Sequence, residues 1–390
     1  MCIVSRYAVY GKTFIASEKM KQLNEILNII ICPKSVVDIW EKHIKLYYPE
    51  YQVYKYELPK DFTLKTVIII NYDLIWRRKE FLAINNYTLI LDESQFIKNT
   101  TATRTKFVMN LQFKNLILCS GTPTGGKYEE LLTQCKLLGW NITKKTYWNM
   151  YIDYILINIG GFKTPKVIGY KNVEHLKHRL AEYGAIFMKT EEAINLPEQM
   201  DNIICVNNIE EYKKFKKDRI VNLENKTLVG DTSLTRLLYL RQLASQYNNN
   251  KLQALKDILE STNDRLIIFY NFNEERQQIA SIIDKPISIL AGDMKEMKSY
   301  ETKENSVTLV QYQAGSTGVN LQKANKIIYY SLPLSSELFE QSKKRIHRIG
   351  QKNTCFYYYL ITKDSIEEKI LETLKQRKDY TDELFKKEEM

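Results

Sequence analysis

The chain has 390 residues, of which 44% are hydrophobic and 12% aromatic, so it can bury a sizeable core. This composition excludes a wholly disordered protein, because disordered chains lack the apolar side chains that offset the entropy of folding. The 57 Lys and Arg against 46 Asp and Glu give a net charge of +11 and a pI near 9.0, which favours a polyanionic partner, with nucleic acid first.

The sequence shows no pattern of membrane insertion or secretion. The richest apolar runs, at 67–75 and 115–119, have the length of strands and not of a bilayer-spanning helix. The first residues lack the basic, apolar and small-residue order of a signal peptide. Six cysteines occur without a CxxC pair, which indicates reduced thiols in a protein core. We therefore expect a cytoplasmic protein.

Residues 1 to about 125 alternate short apolar strands with amphipathic helical patterns. Continuous apolar strands separated by helices are typical of a parallel sheet covered on both faces. In such sheets the carboxyl ends of the strands form the ligand crevice, and here polar residues follow four of the strands. The strands are predicted over 26–32, 67–72, 87–94 and 115–121, with a helix over 36–48. The polar clusters are 33–35, 71–73, 92–95 and 120–123.

The composition and periodicity of the sequence change near residue 127 and again near 248–250. The region between is rich in Tyr, Lys and Asn and helical in period, with a turn-like break at 158–170. After it, alternating strands and helices predict a second α/β sheet. The strands are predicted over 265–272, 286–292, 306–312, 326–332 and 355–361, with helices over 251–261, 274–283 and from about 365. The predicted segments are 1–135, 136–250 and 251–390.

Asp92 and Glu93 directly follow the apolar run YTLIL. Adjacent carboxylates that leave a buried strand suit phosphoryl chemistry, in which one holds Mg²⁺ and the next polarises the attacking water. An ordinary turn that begins with Asp is the structural alternative. Ser94 and Gln95 extend the signature beyond what a turn requires.

Gly11, Lys12 and Thr13 have the ending of a phosphate loop, in which backbone N–H groups and the lysine hold phosphates and the hydroxyl binds Mg²⁺. Arg6 stands where a complete loop has glycine, and residues 7–10 are bulky. The tripeptide by itself is a weak signal.

Two further loops carry small and hydroxyl residues after predicted strands. Ser120-Gly121-Thr122-Pro123 could couple a nucleotide site to a neighbouring domain, and a plain Gly-Pro turn is the alternative. The stretch GSTGVNL (315–321), with Gly318 and Asn320, suits backbone approach to a phosphate or ribose, and a flexible loop is the alternative.

The stretch QSKKRIHRIGQ (341–351) places Arg345 and Arg348 three residues apart, with Gln341 four residues before the first. On a helix this spacing puts both arginines on one face. Such a pair is either a clamp on a transferring phosphate or part of a solvated basic helix.

These motifs, taken in order, resemble those of the superfamily 2 helicase-like ATPases of the SWI/SNF type. The RIHRIGQ string is highly specific for that family, and the matches follow the family's order across nearly the whole chain. The compact size and the Lys, Ile, Asn and Tyr-rich composition favour a phage or large-virus form. The strong matches are DESQFIKN (92–99), SGTP (120–123), QAGSTGVNLQKANKIIYYS (313–331) and QSKKRIHRIGQ (341–351). Weaker matches lie at 30–40, 67–74, 187–197, 240–246 and 265–272.

The resemblance implies an α/β fold with two RecA-like parallel-sheet lobes, helical insertions between them and ATP bound between the lobes. It implies a DNA-stimulated, Mg²⁺-dependent ATPase that tracks duplex DNA in the cytoplasm (of the host cell, for a virus), without a membrane partner. Protein partners are left open. The implied roles are nucleotide binding by Gly11, Lys12, Thr13, Gly318 and Asn320; metal binding by Thr13 and Asp92; catalysis by Glu93, Gln341, Arg345 and Arg348; coupling by Ser120 and Thr122; and DNA contact by Lys34, Ser35, Asn71 and Tyr72.

The chain also departs from the family pattern. RYAVY replaces the glycine-rich stretch before GKT, no adenine-recognising segment precedes it, and Ser331 stands where an acidic residue is usual. These departures support a second hypothesis, a catalytically lapsed nucleic-acid-binding protein with a degraded phosphate loop. A third hypothesis is that the chain lacks an upstream segment that would complete the site.

Overall fold

The structure is a computed structural model that describes residues 2–5, 9–121, 124, 126–159, 161–188, 195–223, 226–315 and 319–384. The chain forms two compact units, Met1–Ile194 with Arg377–Met390, and Asn195–Gln376. Each unit contains one seven-stranded sheet. The finer division at residues 135 and 250 stays a prediction.

The first unit is built mainly from strands that alternate with helices. Its strands are β1 (Cys2–Ser5), β2 (Leu27–Cys32), β3 (Gln52–Lys55), β4 (Thr66–Asn71), β5 (Thr88–Asp92), β6 (Asn115–Ser120), β7 (Ile152–Ile159), β8 (Phe162–Tyr170) and β9 (Ile186–Met188). Its α-helices are α1 (Val9–Leu23), α2 (Val37–Tyr47), α3 (Tyr72–Ile75), α4 (Thr103–Met109), α5 (Leu132–Leu137), α6 (Lys144–Tyr151) and α7 (Val173–Glu182). Short 3-10 turns lie at Lys34–Val36, Lys79–Ala83, Ser94–Ile97 and Tyr128–Leu131.

The sheet of the first unit has the order β3-β4-β2-β5-β6-β1-β9, and every neighbouring pair is parallel. All residues of β2, β4 and β5 are buried, as expected of strands covered on both faces. The predicted parallel sheet and its four strands are thus confirmed. Because the strands run the same way, the polar clusters that follow them share one edge of the sheet.

The start of the chain forms a strand and a helix that the sequence pattern did not indicate. Strand β1 lies between β6 and β9 in the sheet, and helix α1 begins at Val9. Gly11, Lys12 and Thr13 therefore lie in the first turns of a helix that follows a central strand. Residues 6–8, which would form the beginning of the predicted phosphate loop, lie outside the described residues.

The helical period predicted for the region after residue 127 is wrong for 152–157, and the turn-like break predicted over 158–170 is mostly strand. The strands β7 and β8 form a separate antiparallel two-stranded sheet. The segment is rich in Ile, Tyr and Val, which favour extended backbone. Gly161 at the turn has φ +85°, a conformation that glycine adopts without strain. Apolar runs of this length fit a helix or a strand equally well, so periodicity alone could not decide.

The second unit again alternates strands with helices. Its strands are β10 (Gln199–Val206), β11 (Ile220–Leu223), β12 (Lys226–Val229), β13 (Leu266–Tyr270), β14 (Ile287–Leu290), β15 (Lys295–Glu296), β16 (Val307–Gln311), β17 (Lys326–Tyr329) and β18 (Cys355–Thr362). Its helices are α8 (Glu210–Asp218), α9 (Ser233–Ala244), α10 (Asn249–Ser261), α11 (Asn273–Ser281), α12 (Lys298–Thr302), α13 (Tyr312–Gly315), α14 (Ser336–Lys343) and the start of α15 (Ile366–Leu384).

The sheet of the second unit has the order β10-β18-β17-β13-β16-β14-β15, parallel except for the short strand β15. The five strands predicted after residue 250 are confirmed, whereas β10 and the β11-β12 hairpin were missed. A fully buried ion pair joins α10 to α15, with Lys251 Nζ 2.6 Å from Glu367 Oε1. No helix in the described part of the chain is both long and apolar enough to cross a bilayer.

The cysteines are partly where the sequence predicted them. Cys32, Cys119, Cys135 and Cys355 are buried free thiols. Cys205 is a free thiol as well but is exposed, so the expectation of a core position is wrong for it. It lies on β10, an edge strand whose outward residues meet solvent.

Candidate phosphate-binding site

A buried lysine lies against two carboxylates where α1 meets the end of β5. The Lys12 side chain is only 9% exposed, and its Nζ donates to Glu93 Oε1 at 2.5 Å. Burial by itself would lower the pKa of Lys12, but the nearby Glu93 and Asp92 carboxylates outweigh it and raise the pKa. The structure thus brings together the predicted residues Lys12, Asp92 and Glu93, which are about 80 residues apart in sequence.

Asp92 ends strand β5 with its carboxylate held from two sides. Trp40 Nε1 on α2 donates to Asp92 Oδ2 at 2.9 Å, and the backbone N–H of Glu93 donates to Oδ1 at 3.0 Å. Burial raises the pKa of Asp92, and the charge of Lys12 opposes that rise. The fixed carboxylate therefore depends on the lysine for its charge balance.

Glu93 has a left-handed backbone, with φ +53° and ψ 57°. A residue with a β-carbon adopts this conformation at a cost of about 1–2 kcal/mol. The turn ends the strand abruptly, and the Glu93 carboxylate contacts Lys12 on α1 and Gln95 in the same turn. Backbone strain of this kind is concentrated at functional sites.

A chain of hydrogen bonds runs from Glu93 to the end of β6. Gln95 Nε2 donates to Glu93 Oε2 at 2.8 Å, and Ser120 Oγ donates to Gln95 Oε1 at 2.6 Å. The predicted coupling residue Ser120 is therefore connected to Glu93 through one amide. Thr122, the other predicted coupling residue, lies outside the described residues.

The four residues predicted to contact DNA fall into two groups. Lys34 and Ser35 are exposed in the 3-10 turn after β2. The Asn71 side chain instead caps α3, accepting from the N–H groups of Asp73 and Leu74. Tyr72 is 1% exposed and donates its hydroxyl to the Asp92 carbonyl at 2.9 Å. Tyr72 thus supports the carboxylate turn from the core, and the predicted DNA contact depends on Lys34 and Ser35.

Two aromatic residues of α2 belong to the site and were missed. Besides Trp40, His43 lies in the core with Nε2 3.2 Å from Ser17 Oγ, and that hydroxyl donates to the Thr13 carbonyl at 2.8 Å. Burial lowers the pKa of His43, which keeps the imidazole neutral. Nothing in the spacing of these residues marks them, because their partners are distant in sequence.

The arginine motif in the second unit is not the helix face that its spacing suggested. Helix α14 carries Gln341 but ends at Lys343, so Arg345 and Arg348 follow it in turns. The prediction of one helix face is therefore wrong. The Leu321 N–H donates to the Arg345 carbonyl at 3.1 Å, and Gly350 has φ +96°, so the backbone is bonded elsewhere and turns sharply. Both arginines are largely buried.

Gln351, the last residue of the arginine motif, forms hydrogen bonds that connect the motif to the segment after the GSTGVNL loop. Its Nε2 donates to the carbonyls of Gln322 at 3.2 Å and Ala324 at 2.8 Å. Asn320 lies close in sequence to these carbonyls and is exposed. Gly318 lies outside the described residues. The structure therefore brings the arginine turn next to the predicted second nucleotide motif.

A buried glutamate that sequence reasoning missed joins the ends of β13 and β17. Glu275 is fully buried and accepts from Ser331 Oγ at 2.8 Å, the Asn271 N–H at 2.9 Å and Ser245 Oγ at 2.5 Å. Ser331 stands where the family usually has an acid, and here the carboxylate of Glu275 meets it. Glu275 on α11 thus places a carboxylate beside the serine that stands in place of the usual acid.

The described residues hold no group of three or more His, Cys, Asp or Glu side chains that could bind a metal. Thr13 and Asp92, the predicted metal ligands, are both 7% exposed. Mg²⁺ at phosphate sites takes most of its ligands from phosphate and water and needs only one or two from protein. A hydroxyl and a carboxylate suit that requirement.

Comparison of the sequence with models of known protein families shows the family of the chain. Residues 10–252 match the SNF2-related domain, and residues 250–350 match the helicase conserved C-terminal domain. The chain belongs to the SNF2-related domain family. The predicted SWI/SNF-type membership and the fold class of two RecA-like lobes are confirmed.

Known relatives are distant and longer. A SWI/SNF-related matrix-associated actin-dependent regulator of chromatin subfamily A-like protein 1 homolog of Caenorhabditis elegans is 24% identical over 384 residues, or 90% of this chain and 54% of the relative. The DNA annealing helicase and endonuclease ZRANB3 of Bos taurus is 23% identical over 379 residues, or 87% and 34%. The Sulfolobus solfataricus SWI2/SNF2 ATPase core in complex with dsDNA is 20% identical with a TM-score of 0.44, covering 99% of this chain and 87% of that one. The chain spans about half the length of the curated relatives it matches.

Replacing Gln95 by leucine removes the amide between Glu93 and Ser120. One buried and one partly buried hydrogen bond are lost, so we expect Gln95→Leu to lower the free energy of unfolding by about 1–3 kcal/mol. Urea denaturation measures the change. The control is Gln253→Leu on α10, whose amide donates to Asp257 at the surface, with an expected change within about 0.5 kcal/mol. Equal changes in the free energy of unfolding of the two variants would contradict a stabilising link from Glu93 through Gln95 to Ser120.

Proposed function

We propose that the chain is a DNA-stimulated ATPase that translocates on duplex DNA. The observation that carries the proposal is the buried Lys12 ammonium against Asp92 and Glu93, at the start of a helix and the end of a central parallel strand. A buried cation beside two carboxylates at a helix N-terminus suits a triphosphate with its metal, because both signs of charge are then used. A purely structural ion pair would need only one carboxylate.

The phosphates of ATP would lie at the N-terminus of α1, held by backbone N–H groups near Gly11 and by Lys12. Lys12 would exchange its bond to Glu93 for a phosphate oxygen, and its raised pKa keeps it charged for that purpose. Thr13 and Asp92 would hold Mg²⁺, which neutralises phosphate charge when bound. Trp40 keeps the Asp92 carboxylate in one orientation.

Glu93 would act as the general base. After Lys12 moves to phosphate, the Glu93 carboxylate would accept a proton from the attacking water. Gln95 holds Oε2 of that carboxylate and so fixes the direction of the base. Because Gln95 also bonds Ser120, a change at Glu93 reaches the turn after β6, where coupling to movement was predicted.

Arg345 and Arg348 would stabilise the charge that develops on the transferring phosphate, as arginine fingers do, with Gln341 and Asn320 as polar neighbours. This role requires ATP to lie between the two units, with the phosphate loop in one and the arginines in the other. Closing and opening around the nucleotide would then move one unit along the DNA with each hydrolysis.

Duplex DNA is the proposed substrate because the net charge is +11 and the relatives include a DNA annealing helicase. Lys34 and Ser35, exposed after β2, would contact the phosphate backbone, a contact that does not depend on sequence. Binding should therefore weaken steeply with salt.

Phosphate release measured with and without duplex DNA tests the proposed activity. We expect duplex DNA to stimulate release, and Glu93→Gln to lower the stimulated rate at least about 100-fold, because a general base contributes 10²–10⁴-fold. Glu50→Gln, at an exposed turn of the same unit, is the matched control and should behave as wild type. Absence of stimulation, with Glu93→Gln equal to wild type, would favour the lapsed DNA-binding protein.

Substitution of Arg348 tests the proposed role of the arginines in stabilising the transferring phosphate. Arg348→Ala should lower ATP turnover at least about 100-fold, since arginine fingers contribute 10³–10⁵-fold. Fluorescence anisotropy should show DNA affinity changed less than about tenfold, because one lost cation removes at most one phosphate contact. Arg348→Lys should not restore turnover, because lysine lacks the planar fork. Normal turnover in Arg348→Ala would exclude the role.

A further inference from the structure

Two stacked aromatic rings connect the surface of the first unit to the turn that carries the carboxylates. Phe96 lies in the 3-10 turn after β5, and its ring stacks on that of Tyr72, with centroids 5.2 Å apart and planes 12° apart. Tyr72 is 1% exposed, whereas Phe96 is 36% exposed. The pair therefore extends from solvent into the core.

These two residues hold the peptide groups on both sides of the Glu93 α-carbon. The Tyr72 hydroxyl donates to the carbonyl of Asp92 at 2.9 Å, in the peptide group that precedes Glu93. The backbone N–H of Phe96 donates to the carbonyl of Glu93 at 3.0 Å, in the peptide group that follows it. A shift of the stacked rings would therefore turn the left-handed backbone of Glu93, and with it the direction of the carboxylate.

An arginine lies over the Phe96 ring. The guanidinium carbon of Arg104, on α4, is 5.5 Å from the ring centroid. Its Nη1 is 3.4 Å from Asp73 Oδ1, and the two side chains are 36% and 78% exposed. A long ion pair in contact with solvent is weak and is screened by salt, so another anion can take the place of the carboxylate.

A DNA phosphate is the anion that the position of Arg104 favours. Strands β2 and β4 are parallel neighbours whose last residues, Cys32 and Asn71, are paired. Lys34 and Asp73 each follow two residues later, so they lie at the same edge of the sheet. A duplex held at Lys34 would bring phosphates to this edge. Arginine bonds phosphate through a planar fork and can keep its contact with an aromatic ring while it does so.

We infer that Arg104, Phe96 and Tyr72 form a relay through which bound duplex DNA stimulates hydrolysis. A DNA phosphate would replace Asp73 as the partner of Arg104. The guanidinium would then move over the Phe96 ring, and the stacked rings would shift the peptide groups beside Glu93. Phe96 and Tyr72 are thus positioning residues, and Arg104 is a DNA contact. The relay rests on the proposed function, in which Glu93 is the general base.

Substitution of Phe96 tests the relay through the ratio of hydrolysis rates with and without saturating linear duplex DNA. Phe96→Leu removes the stacked ring but keeps an apolar side chain, so we expect this ratio to fall about fivefold or more. Phe96→Tyr keeps the ring and should keep the ratio. The matched control is Phe162→Leu, the same change at a phenylalanine of β8 that is 78% exposed, and it should keep the wild-type ratio. Thermal melting by circular dichroism checks that each variant is folded.

A second variant acts at the surface end of the relay. Arg104→Gln should lower the same ratio when anisotropy shows that the duplex is fully bound, because the DNA then lacks the contact that moves Phe96. The matched control is Arg77→Gln, which removes an exposed arginine that lies over a different ring, 5.0 Å from the centroid of Trp76. It should keep the wild-type ratio on fully bound DNA.

The outcomes separate the relay from the DNA-stimulated ATPase. A wild-type chain whose hydrolysis is not stimulated by duplex DNA overturns both proposals. Stimulation in wild type that Phe96→Leu and Arg104→Gln leave intact overturns the relay and leaves the ATPase standing. Equal losses with and without DNA keep the ratio constant, which would show that Phe96 acts through packing alone and would also overturn the relay. A lower ratio in both variants, with wild-type ratios in both controls, supports it.

Discussion

The buried Lys12 ammonium is the interaction on which the first unit depends. A charge taken out of water costs several kcal/mol unless partners of opposite sign replace the solvent. The partners here are Glu93, through a 2.5 Å contact, and Asp92, and they come from a strand end that lies far from Lys12 in sequence. Helix α1 must therefore pack where β5 ends. That requirement fixes the helix N-terminus beside the two carboxylates, which is the geometry a triphosphate needs.

The same ion pair begins a connected path of polar contacts. Glu93 bonds Gln95, and Gln95 bonds Ser120 at the end of β6. The ion pair, the amide of Gln95 and the hydroxyl of Ser120 thus lie along one path of hydrogen bonds. A change of partner at Lys12 is a local electrostatic event, and this route gives it a way to act at a distance.

The sequence predicted best where burial leaves little choice. Fully apolar runs such as 67–70 have to be covered on both faces, so they were recognised as parallel strands, and the carboxylates at the end of β5 were recognised with them. The partners of those carboxylates could not be predicted, because Trp40 and Gln95 meet them through tertiary contacts that no spacing records. Strand β1 was missed because its four residues are too few for a periodic signal.

Two of the wrong predictions, the arginine helix face and the helical period before residue 158, have the same origin. The spacing of Arg345 and Arg348 fits a helix, but tertiary bonds from Leu321 and Gln351 hold that segment in turns. The pattern of 152–157 fits a helix or a strand, and the pairing of these residues with β8, whose last residue Tyr170 packs on Tyr128, accompanies the strand. In both places local pattern was compatible with two structures, and contacts distant in sequence decided between them.

Calorimetric titration with Mg–ATP, on wild type and Lys12→Ala, tests the central claim most directly. We expect one ATP per chain in wild type and binding weaker by at least about tenfold in Lys12→Ala, since a charge-assisted hydrogen bond contributes about 1.5–3 kcal/mol. Lys21→Ala, at an exposed position of the same helix, should bind as wild type does. Failure of the wild-type chain to bind ATP, or equal affinity in Lys12→Ala, would contradict the assignment of this buried lysine to phosphate.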